Sequence, residues 1–234
     1  MASFRADTSE FKPTGVRLGM QRTFSTSFAG TENPLSEGGN WISGAVSGIF
    51  QDVRCTPGFA FGAGPSASPP YDDPTSVVSG GWGPVQTAEA TVRVDAIESG
   101  VNQEVELRLL TTITPGFIRG YEIMWSITTN TYIDVRRWEG LANDIGQFVQ
   151  LGFTGSGTSP QLVTGYRVKA TIDSAGVIRA YTDSGAGYVL MCTATADLTY
   201  RTGAPGIGFF KHAGAAGALT GYGYSLFTCS SAST

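Results

Sequence analysis

The sequence predicts an all-β domain made of many short strands, arranged as a sandwich or a barrel. The 234 residues include 32 glycines, and small polar residues separate short apolar runs, as is typical of strands joined by tight turns. Within these runs apolar and polar residues alternate with the period of two that marks half-buried strands. About a dozen such runs recur at intervals of ~8–12 residues, and no segment has the pattern of an amphipathic helix.

The first residues form a separate unit in this prediction. They show little periodicity, and Pro13 and Gly15 interrupt them, so residues 1–21 are predicted to be an extended N-terminal arm and residues 22–234 the domain. Such an arm stays ordered only when something ties it down. We expect it to pair with a neighbouring subunit or a sheet edge, with Phe4 and Phe11 as assembly anchors in apolar pockets.

The domain begins with two strand-like runs, RTFSTSF at 22–28 and WISGAVSGIF at 41–50. Residues 56–76 contain five prolines and are predicted to form a long loop, a feature that is uncommon and often functional. Alternation returns from Val85 onward, in VQTAEATVRVDAI.

The run EVELRLL, from Glu104 to Leu110, alternates clearly. Its odd-numbered residues are apolar and predicted to face the core, whereas Glu104, Glu106 and Arg108 share the other face. We expect that face to be solvated, with Arg108 pairing with the two carboxylates. A pair of catalytic carboxylates at Glu104 and Glu106 is the less favoured interpretation.

Residues 121–140, YEIMWSITTNTYIDVRRWEG, are predicted to be a β-hairpin that turns at TTNT. Ile123, Trp125, Ile133 and Val135 are predicted to be buried. Tyr132, Asp134, Arg136 and Trp138 share the opposite face, and we expect Asp134 and Arg136 to be more exposed than the core set. Aromatic rings beside polar groups suit a glycan- or protein-binding face, so these four are the predicted ligand-binding residues; ordinary cross-strand packing is the alternative.

Four segments carry a resemblance to a known fold, in the order in which that fold has them. They are TFSTSFAGTENPLSEGGNW, the hairpin just described, GYRVKATIDSAGVIRAYTDSG and GAPGIGFF. The chain resembles a concanavalin A-like jelly roll of the laminin-G or pentraxin type. This resemblance implies a sandwich of two antiparallel sheets preceded by the extended arm. It implies no single function, because the fold hosts lectins, hydrolases, lyases and structural modules.

Catalysis on this fold is associated with motifs that the chain lacks. The related glucanases carry an E-x-D-x-E run, and the nearest segment here is EVE at 104–106. Alginate-lyase-like jelly rolls carry a Q-[IV]-H strand, which is missing; only a faint likeness suggests Lys211, His212 and Tyr222 or Tyr224 as an alternative site. We therefore predict a non-catalytic module, with a polysaccharide-degrading lyase or glycoside hydrolase as the alternative.

Metal and disulfide chemistry receive little support from the sequence. Cys55, Cys192 and Cys229 show no CxxC spacing and are predicted to be small buried hydrophobic residues, although one disulfide stays open. No cofactor is predicted. Ca²⁺ is possible at Asp72 and Asp73, or at Asn143 and Asp144, but Asp and Asn also favour turns on their own account.

The overall charge narrows the range of partners. The net charge is −4 and no basic cluster occurs, which argues against nucleic acid. The sequence contains no apolar run of ~18 residues, the length that a membrane-spanning helix needs. Its start has no apolar segment of the kind found in signal peptides. A lectin-like fold without such a signal fits a bacteriophage virion component, such as a decoration, tail or fibre protein. It would be homo-oligomeric, contact neighbouring virion or filament subunits, be released by lysis, and bind a cell-surface glycan.

Overall fold

A computed structural model describes residues 21–65, 72–140, 148–155, 157–212 and 219–232. These residues form fifteen strands and two short 3₁₀ helices, Gly44–Ser47 and Leu219–Gly221. All strand pairs within the two sheets are antiparallel. The prediction of an all-β sandwich of two antiparallel sheets is confirmed. In the part of the chain described, no helix is long and apolar enough to cross a membrane.

One sheet has eight strands, with β1 paired to β15 beside the main order β13-β12-β11-β6-β15-β4-β3. Its strands are β1 (Arg22–Thr26), β3 (Val53–Thr56), β4 (Phe59–Gly62), β6 (Val85–Val94), β11 (Arg167–Ile172), β12 (Ile178–Asp183), β13 (Val189–Thr193) and β15 (Tyr222–Ala232).

The other sheet has seven strands in the order β10-β9-β8-β7-β14-β5-β2. They are β2 (Trp41–Ser43), β5 (Thr75–Val78), β7 (Gln103–Thr114), β8 (Phe117–Ser126), β9 (Ile133–Trp138), β10 (Phe148–Thr154) and β14 (Ala204–Lys211).

The main core lies between the sheets and is filled by alternate residues of both. The buried face of β6 carries Ala88, Ala90 and Val92, as the alternation predicted. These residues belong to the same core cluster as Val105, Leu107 and Leu109 of β7. The four predicted core residues of the hairpin, Ile123, Trp125, Ile133 and Val135, are all buried. Cys55, Cys192 and Cys229 are free and buried, in keeping with their predicted role as small hydrophobic residues.

Two segments differ from the prediction. Residues 56–76 are not one long loop, because they contain β4 and the start of β5. Every residue of these two strands is buried, so neither shows the alternation by which a strand was recognised. The run that begins at Trp41 is a strand for only three residues before it turns into the first 3₁₀ helix, which Ser43 caps by accepting a hydrogen bond from Ala45 N–H. Phe4 and Phe11 of the predicted arm lie outside the described residues.

Candidate functional site

A cleft of about 230 Å³ opens on the outer face of the seven-stranded sheet, opposite the core. It combines carboxylates, aromatic rings and two basic side chains. The lining residues are Asp73, Asn102, Glu104, Glu122, Met124, Tyr132, Arg136, Trp138, Phe148, Phe210 and His212. Three of the four predicted ligand-binding residues, Tyr132, Arg136 and Trp138, therefore line one cleft.

The β7 face that carries Glu104, Glu106 and Arg108 is buried, so the prediction of a solvated face was wrong. Alternation correctly gave the side of the strand on which these residues lie, but that side is covered. Phe50 packs within 5.4 Å of the Arg108 guanidinium, and Asp73 approaches the same group. Both belong to segments far from β7 in sequence, which is why the run EVELRLL does not reveal the cover.

Arg108 holds a cluster of buried carboxylates beneath the cleft. Its Nη2 lies 2.5 Å from Glu106 Oε2, 3.0 Å from Glu122 Oε1 and 3.9 Å from Asp73 Oδ2. The predicted pairing of Arg108 is confirmed for Glu106 but not for Glu104, which accepts a hydrogen bond from Tyr132 instead. Burial, and then the charge of Glu122, raise the pKa of Glu106 well above its ordinary value.

Oxygens of Asp73, Glu106 and Glu122 lie within 4.8 Å of one another, a spacing that a metal ion could bridge. Here the Arg108 guanidinium supplies the positive charge within contact distance of all three, so the cluster is an internal ion-pair network. Asp72 accepts a hydrogen bond of 2.8 Å from Gln51 Nε2. Asn143 and Asp144 lie outside the described residues, and calcium binding stays a prediction.

Glu104 lines the cleft itself, and its carboxyl group has a raised pKa. It is 6% exposed, and the Tyr132 hydroxyl donates a hydrogen bond to it. The pKa of Glu104 is raised to about 7, mainly by burial. The hydrogen bond from Tyr132 lowers this pKa, and the charge of Glu122 contributes to the increase. Near neutral pH this carboxyl can therefore hold or release a proton at the wall of the cleft.

Asp134 was predicted to be more exposed than the core, but it is only 2% exposed. It is covered because Arg136 Nη2 pairs with Oδ2 at 2.8 Å while Gln150 Nε2 donates to Oδ1 at 3.0 Å. Arg136 is half-buried and so more exposed than the core set, as predicted, and its guanidinium lies 4.2 Å from the centre of the Phe148 ring. Asp134 therefore holds the Arg136 guanidinium in place and does not itself line the cleft.

Trp138 is also buried, and its indole N–H donates to Glu122 Oε2. Glu122 therefore accepts from Trp138 through one oxygen and pairs with Arg108 through the other. Its orientation at the wall of the cleft is fixed from both sides.

Phe153 is a functional candidate that the alternation did not identify. It is 56% exposed, and its ring stacks on that of Tyr132 at a centroid distance of 6.2 Å. A β-bulge between Gln150 and Gly152 brings Phe153 opposite Asp134, onto the face that bears the cleft. Gly152 inside an apolar run was the available signal, since an isolated glycine in a strand often marks a bulge.

The alternative lyase residues are not gathered at one place. His212 lines the cleft, but Lys211 is buried and pairs with Glu98 at 2.5 Å. Tyr222 and Tyr224 belong to the core between the sheets, and the Tyr222 hydroxyl donates to the Phe210 carbonyl. Of this set, only His212 reaches the cleft.

Solved structures share this architecture at low sequence identity. β-Agarase A in complex with oligoagarose is 10% identical, with a TM-score of 0.53 over 90% of this chain and 92% of that one. The chain has a concanavalin A-like jelly-roll fold. The β-porphyranase BpGH16B from the human gut bacterium Bacteroides plebeius is 10% identical, with a TM-score of 0.51 over 93% of this jelly roll and 94% of its own chain.

The exoplasmic/lumenal domain of VIP36, in its Ca²⁺/Man3GlcNAc-bound form, is 10% identical to this jelly roll. Its TM-score is 0.52, over 81% of this chain and 83% of that one. No protein-family model matches the sequence, and no curated protein matches it. At these identities the comparisons establish the fold alone.

Proposed function

We propose that this jelly roll binds a carbohydrate in the cleft on its seven-stranded sheet. The observation that carries the proposal is the exposed ring of Phe153, stacked on Tyr132 beside a wall of carboxylates. An aromatic ring left in water at the edge of a polar cleft is a ready platform for the apolar face of a sugar ring.

The polar groups of the cleft suit the hydroxyls of the same ligand. Glu104, Glu122 and Asn102 offer carboxylate and amide groups within one small opening, and a few fixed polar groups of this kind set orientation in ligand pockets. Arg136 adds guanidinium donors to the same cleft. Structures of the same fold that are named with oligoagarose or Man3GlcNAc support a carbohydrate as the ligand.

A more specific proposal is that the protein is a virion component that binds a host-cell glycan through this cleft. It is supported by the absence of the E-x-D-x-E and Q-[IV]-H runs, which favours a non-catalytic role, and it includes a homo-oligomeric assembly with neighbouring virion subunits. Mass spectrometry of purified phage particles would test it. Detection of this chain at several copies per particle is expected, and its absence from particles would reject the virion setting while leaving carbohydrate binding untouched.

The binding experiment is calorimetric titration of the protein with neutral gluco-, manno-, xylo- and agaro-oligosaccharides. We expect at least one to bind, and Phe153→Ala to weaken that binding about tenfold, or about 1.4 kcal/mol, because the stacking surface is lost. Leu198→Ala is the matched control, since Leu198 is 57% exposed. It should bind like the wild type.

Two outcomes would contradict the proposal. If the wild type binds none of the panel, this jelly roll does not bind neutral carbohydrate. If Phe153→Ala binds as tightly as Leu198→Ala, the carbohydrate lies elsewhere on the molecule.

Glycoside hydrolysis is the second candidate, favoured by the pKa of Glu104 at about 7. A carboxyl that keeps its proton near neutral pH can act as the general acid on a glycosidic oxygen. Glu122 lines the same cleft as a second carboxylate. Release of reducing ends from the panel that disappears in Glu104→Gln would establish this activity, and binding without any release would leave the protein a binding module.

A further inference from the structure

A second pocket adjoins the cleft where β7 begins. It has a volume of about 350 Å³ and lies between the loop 97–102 and the turn 128–130. We call it the terminal pocket. Its polar lining residues are Glu98, Ser99, Asn102, Thr128, Thr129 and Asn130, and among the described residues that line it none is aromatic. Asn102 lines both this pocket and the cleft, so the two openings are adjacent.

Internal contacts fix the walls of the terminal pocket. The Glu98 backbone N–H donates to Gln103 Oε1 at 2.7 Å, and the Glu98 carboxylate pairs with the buried Lys211 ammonium at 2.5 Å. On the other wall, Ile127 N–H donates to the Gln103 carbonyl at 3.0 Å. Gln103 thus ties both walls to β7, so a ligand would meet a preformed pocket.

The cleft is small for an oligosaccharide, so a ligand of that kind would extend beyond it. At about 230 Å³ it falls below the ~300–1,000 Å³ of typical ligand pockets. The terminal pocket supplies the missing volume on the side marked by Asn102. Tyr132 and Asn130 belong to the same β8–β9 connection, so one hairpin forms a wall of each opening.

The chemistry of the terminal pocket indicates an uncharged, hydroxyl-rich occupant. Its hydroxyl and amide side chains can both donate and accept hydrogen bonds. Of the lining residues that the structure describes, Glu98 carries the charge, and Lys211 already neutralises it. Without an aromatic side chain, the pocket cannot hold a sugar by stacking, in contrast to the Tyr132–Phe153 side of the cleft.

We propose that the terminal pocket is a second subsite, which takes the hydrogen-bonded end of a neutral oligosaccharide whose neighbouring unit lies in the cleft. This inference rests on the proposed carbohydrate binding and adds direction and length to it. The ligand chain runs from the Phe153 platform, past Glu104 and Asn102, and over the beginning of β7.

The test is a ladder of neutral gluco-, manno-, xylo- and agaro-oligosaccharides of about two to six units, titrated by calorimetry. For the series that binds, affinity should rise with length by at least about tenfold, the equivalent of one or two additional hydrogen-bonded contacts. Thr129→Trp, which fills the terminal pocket, and Asn130→Ala, which removes an amide, should each lose this gain for the longer chains.

Thr193→Trp is the control, because Thr193 is an exposed threonine on β13 of the other sheet. It should keep the full dependence on length. Thr129 and Asn130 are exposed turn residues, so both variants should fold; if Thr129→Trp does not, Asn130→Ala still gives the readout.

The outcomes separate the two proposals. If no oligosaccharide binds the wild type, carbohydrate binding is wrong and the subsite with it. If short chains bind but affinity does not rise with length, or if both variants keep the rise, the terminal pocket is not a subsite while the cleft still is.

Discussion

Glu104 decides how the cleft responds to pH. Its carboxyl is almost fully buried, and its hydrogen-bond partner is the Tyr132 hydroxyl. In the part of the chain that the structure describes, no basic side chain forms an ion pair with it. Burial without a counter-ion disfavours the charged form, and the pKa of Glu104 accordingly rises to about 7.

This pKa predicts a pH-dependent stability. Folded Glu104 keeps its proton up to about pH 7, whereas the unfolded chain releases it near the ordinary value of 4.5. The folded state therefore binds more protons in that window, and the free energy of unfolding falls as the pH rises through it. Glu104→Gln, which stays neutral, should gain about 3 kcal/mol relative to wild type between the two pH values.

Urea denaturation at a series of pH values measures this difference. Glu106 adds a pH dependence of its own, but both proteins contain it, so the difference between their curves reports on Glu104. Leu198→Ala, which replaces an exposed side chain and changes no titratable group, should run parallel to wild type. If the free energy of unfolding of Glu104→Gln also varies with pH as that of wild type does, the Glu104 carboxyl has an ordinary pKa. The cleft would then be more hydrated than its geometry shows.

At the scale of elements, β14 shows how a strand adapts to the cluster beside it. Gly208 pairs with Glu106 across the sheet, and a Cβ at Gly208 would lie 2.3 Å from Glu106 Oε2. At Gly206 a Cβ would lie 2.3 Å from the backbone oxygen of Ser76 and 2.8 Å from Val77 Cα. The glycines of GAPGIGFF thus allow β14 to approach β5 closely and leave room for the Glu106–Arg108 pair.

Gly206→Ala should therefore destabilise the fold by about 1–3 kcal/mol, since the added methyl group meets backbone that cannot rotate away. Thermal or urea denaturation measures the change. Gly81→Ala is the control, because a Cβ there has no neighbour within 4 Å and the backbone is not in the left-handed region. We expect it to be neutral or slightly stabilising, and an equal loss in both variants would refute the steric explanation.

The sequence predicted those elements in which apolar and polar residues alternate. β6 and the β8–β9 hairpin carry that pattern, and their core residues were identified individually, although most of the polar side of β8 is buried as well. β4 and β5, which are buried throughout, carry no such alternation and were assigned to a loop. The bulge in β10 reverses the side on which Phe153 lies, and alternation has no means of placing such a reversal.

For the whole molecule, charge is distributed unevenly over the outer face of the seven-stranded sheet. Among the residues that the structure describes, five carboxyl groups lie in or beneath the cleft, and two guanidinium groups, those of Arg108 and Arg136, accompany them there. The carboxylates are Asp73, Glu104, Glu106, Glu122 and Asp134. Both arginines are already engaged with carboxylates. Together with the net charge of −4, this gives the cleft a negative potential once Glu104 ionises.

The potential predicts discrimination between neutral and anionic glycans. The probe is the gluco- or manno-oligosaccharide that binds most tightly, since every unit of these series carries a C6 hydroxyl, and it is compared with the same oligosaccharide oxidised at C6 to uronates. Above the pKa of Glu104, at low salt, the oxidised form should bind at least about tenfold more weakly, because like charges meet in a poorly solvated cleft. The difference should narrow as salt rises from about 0.01 M to about 1 M, since the screening length falls from ~30 Å to ~3 Å.

Methylation of the uronates to neutral esters is the matched control and should restore most of the affinity. Tighter binding of the uronate form would mean that Arg136 and His212 dominate the cleft, and would favour a uronate-processing enzyme over a module for neutral glycans.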